Sequence, residues 1–301
     1  MRDPIPSRDP STRVLRAVGA LSIAGGLALA FAAASPEPRR QQAQTPPSTQ
    51  AGARPRVLVF SRTAGFRHDS IPEGISCIRE ILADGHEVDA TEDPAVFTDE
   101  SLRRYKAVVF LSTTGDILDD AQQEAFERFI RAGGGYAGVH AAADTEHSWP
   151  WYGRLVGAYF KTHPPVQEST VRVEDRTHRS TRMLPAEWRR TDEWYVYRTN
   201  PRGVVRVLAS LDDDTVEGVD MGGDHPIVWS HEFDGGRSWY TGGGHTKESY
   251  REPLFRDHLR GGILWAAGAA DQPSSSEGAN DAGASTPAAG DGTAPKAGPV
   301  G

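Results

Sequence analysis

The chain has a single cysteine, Cys77, so no intrachain disulfide can brace it. Cys77 lies among Ile75, Ile78, Ile81 and Leu82 at helical spacing, which reads as a small core residue and not as a nucleophile. Basic charge is also short. Thirty-three Lys and Arg stand against 41 Asp and Glu, a formal charge of −8, which argues against a nucleic-acid partner because phosphate binding needs a basic face. Repeats of fixed period are absent. Long apolar runs are limited to residues 17–34, so no other stretch is long enough to span a bilayer. Histidines at HxxH or HxH spacing, a common mark of a metal site, are missing too.

What is present divides into three parts. Arg13 and Arg16 precede the Ala/Gly/Leu-rich run, which closes with Ala32-Ala33-Ala34 before Ser35-Pro36. A charged region, an apolar region and a small-residue cleavage site predict an export signal over residues 1–34. The alternative is an uncleaved anchor, the one case in which the protein would touch a membrane. Either reading puts the rest outside the cytoplasm, in the periplasm, the extracellular space or on the cell surface. Residues 35–55 and 270–301 are rich in Pro, Gln, Ser, Ala and Gly. They carry too little apolar surface to offset the entropy of ordering, and read as a disordered linker and a disordered tail. The folded unit is therefore 56–269.

Within it, short β-branched runs alternate with amphipathic helices. Val57-Leu58-Val59-Phe60, residues 86–91 and residues 106–111 read as strands. Helices are expected from Pro72, with Ile75, Ile78, Ile81 and Leu82 inward, and from Asp119, with Ala121, Ala125, Phe126, Phe129 and Ile130 inward. Asp119 and Gln122 have capping-box spacing. An aromatic helix is expected over residues 149–160, and Asp234-Gly235 predicts a hairpin. Such alternation gives an α/β class, a three-layer sandwich around a mostly parallel sheet with a C-terminal β-hairpin. Ligands of such sheets bind beyond the carboxyl ends of the strands, which would put His68, Asp116 and His140 on one rim.

The chain is organised around Gly133-Gly134-Gly135-Tyr136-Ala137-Gly138-Val139-His140-Ala141. The spacing Gly138-x-His140-x-Ala142 is that of a nucleophile elbow with histidine at the apex. Histidine suits acid, base or metal-ligand work, not a stable acyl-enzyme. His68, His140 and His245 each follow a predicted strand and a Gly-containing turn, so a common pocket is expected. His178 and His225 are weaker candidates; His86, His147, His163, His231 and His258 read as structural.

Together with Phe66-Arg67-His68, Asp192-Glu193-Trp194-Tyr195, Pro226-Ile227-Val228-Trp229 and Gly242-Gly243-Gly244-His245, these stretches resemble the ThuA-like (trehalose utilisation) family across the whole folded unit. The resemblance implies a class I glutamine amidotransferase-like, flavodoxin-related fold and a link to the breakdown of trehalose and other glycosides, 3-keto sugars among them. Amidotransferases carry cysteine at the elbow. Here it is His140, so thiolate glutaminase chemistry is excluded.

The expected site therefore has His140, His245, His68 and Glu193 as catalytic groups, on a small-molecule carbohydrate, by hydrolysis, elimination or isomerisation. Asp69, Asp116 and Asp144 are candidate binding residues, and Trp194, Tyr195 and Trp149 a sugar platform. In extended chain Asp192 and Glu193 point oppositely, so at most one faces the pocket. One variant has His68, His140 and His245 holding a divalent metal such as zinc. The opposing reading is a non-catalytic sugar-binding or scaffold module on the same fold.

Overall fold

The computed structural model describes residues 53–269. The expected export segment and tail, and all but the last residues of the expected linker, lie outside them. Among the described residues no helix is long and apolar enough to cross a membrane.

In chain order the strands and helices are β1 Arg56–Phe60, α1 Ile71–Leu82, β2 Glu87–Thr91, α2 Asp99–Leu102, β3 Tyr105–Leu111, α3 Asp120–Arg131, β4 Gly135–Val139, α4 Pro150–Val156, β5 Phe160–Thr162, β6 Gln167–Val173, β7 Glu187–Asp192, β8 Val196–Tyr197, β9 Arg206–Leu211, β10 His225–Phe233, β11 Gly236–Thr241 and α5 Pro253–Ala266. Nine strands make one sheet, ordered β2-β1-β3-β4-β11-β10-β9-β6-β7, while β5 and β8 pair apart from it. From β2 to β11 every pairing is parallel; beyond β11 every pairing is antiparallel. Only β10 and β6 therefore run against the other strands of the sheet, and the carboxyl ends of β1, β3, β4, β11 and β7 share one rim.

Alternation along the strands sorts the layers. Phe110 of β3 and Tyr136 of β4 meet Phe126 of α3. Their neighbours face the other side, where Leu111 lies against Gly74 of α1 and Trp239 of β11 against Gly262 of α5. Two helical layers thus cover the sheet, as the three-layer class requires. Asp119 caps α3 in a full capping box with Gln122. Asp234 and Gly235 both have positive φ, 48° and 93°, the backbone of a type I′ hairpin turn.

The expected hairpin is present as β10–β11, and β11 enters the sheet as its fifth parallel strand, beside β4. Two local expectations need correction. The aromatic helix stops at Val156 because Gly157 leaves helical angles with φ 98°, and Phe160 begins β5. Ala121, expected inward, is exposed in the first turn of α3.

Candidate active site

Four strand ends converge on one cluster. His68 comes from the loop after β1, His140 is the residue after β4, His245 follows β11 across three glycines, and Glu193 follows β7. One donor atom from each lies within 4.8 Å of the others. The three imidazoles form a near-equilateral triangle with centroids 4.9, 5.1 and 5.1 Å apart. Glu193 closes it: its Oε2 is 3.3 Å from His140 Nε2 and 3.2 Å from His245 Nδ1, and those two nitrogens are 3.2 Å apart.

The elbow forms because the local sequence allows close approach. A Cβ on Gly138 would lie 2.6 Å from Tyr136 Oη, so a larger residue would not fit. His140 takes φ 51°, a left-handed conformation that costs of order 1 kcal/mol for a non-glycine residue. Tertiary contacts hold it there. Its Nδ1–H donates to Gly242 O at 2.9 Å, Tyr240 Oη donates to its carbonyl at 2.8 Å, and the Tyr195 ring lies 4.3 Å from its imidazole. The His140 side chain has no exposed surface, whereas that of His245 is about a quarter exposed.

Asp192 holds the opposite wall. Wholly buried, it accepts from Gly244 N, His245 N and Ser249 Oγ and pairs with Arg190 at 2.9 Å. Burial alone would raise its pKa, but the Arg190 charge and those donors hold it below the ordinary value. Arg190 in turn reaches Glu252 at the start of α5, and Trp188 donates to the same carboxylate, so the far edge of the sheet lies over α5 and brings its last residues to the rim. Asp192 points into the scaffold and Glu193 into the cluster, as their alternation predicts.

Charge follows geometry. Burial opposes ionisation of Glu193, yet the hydrogen bonds from His140 and His245 outweigh it and hold the carboxyl far below its usual range. Burial, then the two neighbouring imidazoles, push His68 down to about 3. For His245 burial works downward, but Glu193 overrides it and the pKa rises.

Other expected residues fall elsewhere. Trp194 is buried and donates its indole N–H to Gln167 O; Trp149 stacks on Trp151 at 5.1 Å and donates to Glu127. Neither offers a free face for a sugar, because rings this large gain more as core and their N–H groups found internal partners. Tyr195 is at the site, but as the buried wall against His140. Asp69 is exposed and pairs with Lys247; Asp144 holds His147; exposed Asp116 acts on Glu146 and Tyr159, away from the imidazole triangle. His225 is structural, bonded to Asp213 and Tyr195 O, and His178 packs against Trp265 and Ser180.

One residue of the cluster's surroundings was not expected there. His163, expected to be structural, places Nδ1 3.0 Å from Glu193 Oε1, on the side of the carboxylate away from the triangle. Its position depends on β5 pairing with β8, the short strand just after Glu193, and no local signal reveals that pairing.

The trehalose utilisation (ThuA) family profile matches residues 56–266. The chain belongs to this family. Among solved structures, a ThuA-like protein from Bacteroides uniformis superposes with a TM-score of 0.61 at 26% identity, covering 73% of this chain and 94% of that one. A second, from Parabacteroides merdae, has a TM-score of 0.61 at 19% identity, covering 73% and 92%. No curated relative matches the chain in sequence. Family membership gives this ThuA-like chain a carbohydrate-related role, and no amidotransferase thiol exists at its elbow: Cys77 is buried in α1, its pKa raised by burial to about 11.

Proposed function

We propose that this ThuA-like protein is an exported enzyme of carbohydrate catabolism that acts on trehalose or a related glycoside, 3-keto forms included, by hydrolase or lyase chemistry in the histidine pocket. One observation carries the reading: the Glu193 carboxyl is held between His140 and His245 on one side and His163 on the other, at the carboxyl rim of the parallel strands. An imidazole held by a carboxylate can take a proton from a bound substrate and pass it on, and Glu193 raises the pKa of His245. A 3-keto group would favour such a step, because it acidifies the neighbouring C–H. His245 and His163, the imidazoles with exposed surface, are the groups a sugar can reach. Phe66 replaces the tryptophans as the platform: it is 67% exposed and its ring stands 4.9 Å from that of His68. Export rests on Arg13, Arg16 and the apolar run that follows them.

The test is turnover by the purified protein of trehalose, other glycosides and their 3-keto derivatives, beside Glu193→Gln and His245→Ala. Turnover by the wild type and a loss of about a hundred- to ten-thousandfold in either variant is expected. A second reading, a non-catalytic sugar-binding module, is favoured by the enclosure of His140 beneath Tyr195. It predicts sugar binding that survives His140→Ala, with no turnover of any glycoside.

A further inference from the structure

We propose that His68, His140, His245 and Glu193 are the four protein donors of a site for one divalent first-row transition ion of the zinc class. The assignment concerns the same pocket as the carbohydrate reading but stands on donor geometry alone. His140 Nε2, His245 Nδ1 and Glu193 Oε2 are separated by 3.2, 3.2 and 3.3 Å. The edge of a tetrahedron is about 1.6 times its centre-to-corner distance, so such edges place a centre ~2.0 Å from each donor, the usual Zn–N and Zn–O length. His68 offers the fourth corner, with its donor inside the same 4.8 Å group. A modest swing of that one ring would complete the shell.

The surroundings of the donors point the same way. His140 donates Nδ1–H to Gly242 O, which leaves Nε2 directed at Glu193 Oε2, 3.3 Å away. The hydrogen bond to Gly242 is also what a metal-bound histidine needs behind it to fix tautomer and ring. Glu193 has the same support, from His163 on Oε1, and Asp192 anchors the backbone of His245. Buried His68 has a ring nitrogen, Nδ1, with no hydrogen-bond partner among the described residues. Three imidazoles favour zinc, iron, cobalt or nickel over magnesium and calcium, which take oxygen shells.

The experiment uses the full chain made without a histidine tag. It is stripped with chelator, then titrated with Zn²⁺ and Co²⁺, with bound metal counted by mass spectrometry. One metal per chain is expected, with the visible absorption of tetrahedral cobalt. Glu193→Gln and His140→Ala should each weaken binding by more than the ~10–100-fold that outer-shell partners are worth. His86→Ala, outside the cluster, should leave it unchanged. Two results would overturn the site: a stripped wild type, folded by circular dichroism, that takes up neither ion in stoichiometric amount, or binding that both cluster variants leave intact. Should the variants fail to fold, the wild-type stoichiometry and cobalt spectrum still decide. Turnover enters none of these readouts, so the metal and the carbohydrate reading can fail separately.

Discussion

Two groups of histidines in this protein, buried or partly so, solve the same problem in opposite ways. His258 and His225 give both ring nitrogens to partners that ask nothing further: Ser180 O and Thr241 Oγ1 for the first, Asp213 and Tyr195 O for the second. Each is a closed account of donors and acceptors, and each ties a loop or helix to the sheet. His140 and His245 instead turn a nitrogen toward each other and toward Glu193, while His68 Nδ1 has no hydrogen-bond partner among the described residues. Burial is thus a poor guide to function, and partner chemistry a good one. A structural histidine is satisfied by neutral groups or a single carboxylate; a functional one is left poised against other titratable groups.

The largest way to break this contrast is Glu193→Gln, which keeps size but removes the charge that the imidazoles share. It should lower turnover on any responsive glycoside by about a hundredfold or more, as kcat, while the thermal midpoint stays close to wild type if the family of polar contacts survives. Next is Asp192→Asn. It takes one of two carboxylates from buried Arg190, which keeps Glu252, so a loss of about 1.5–3 kcal/mol in denaturant unfolding is expected, with His245 loosened as a consequence.

His258→Gln sharpens the contrast from the structural side. Two hydrogen bonds and some packing are lost, so stability should fall by about 1–3 kcal/mol with turnover unaffected. This variant also reads out in pH. Burial pushes His258 from 6.5 down to about 3, so in this window the unfolded chain takes up a proton that the fold refuses. Stability contributed by the neutral ring is whole above pH 6.5 and is lost as pH falls toward 3, at up to about 1.4 kcal/mol per pH unit. Unfolding measured between pH 7 and 4 should show a shallower slope in His258→Gln than in wild type; equal slopes would mean that the ring is not buried neutral. The smallest effect is that of Phe66→Ala, within about 0.5 kcal/mol in stability because the ring is exposed, but raising KM for a sugar that stacks there.

Much of this was legible in the sequence because it is encoded locally. The capping box at Asp119, the Asp234-Gly235 turn and the small residues around His140 each fix backbone geometry over a few positions, and each reappears in the structure. The rim rule for parallel sheets placed His68 and His140 together with Asp116, and the shared strand-then-glycine pattern added His245; the three imidazoles do meet, while Asp116 stands apart. The tryptophans expected as a platform lie elsewhere for a reason equally physical: an exposed stacking ring and a core ring look alike in a sequence, and Trp149 and Trp194 are core while Phe66, noted only for its place beside His68, stands in solvent. His163 failed because a three-residue strand carries no pattern of its own.

The sequence by itself determined the strands and helices of the parallel half, where the elbow bends, and that no thiol sits on it, since side-chain size, turn chemistry and hydrophobic period act over one or two turns of chain. Only the tertiary structure decided that β11 enters the sheet beside β4, that β7 reaches the rim by lying over α5, and that Glu193 rather than Asp192 faces the imidazoles. Those outcomes depend on pairings between residues far apart in the chain, where the gain from burying two surfaces together, and not any local preference, selects the partner.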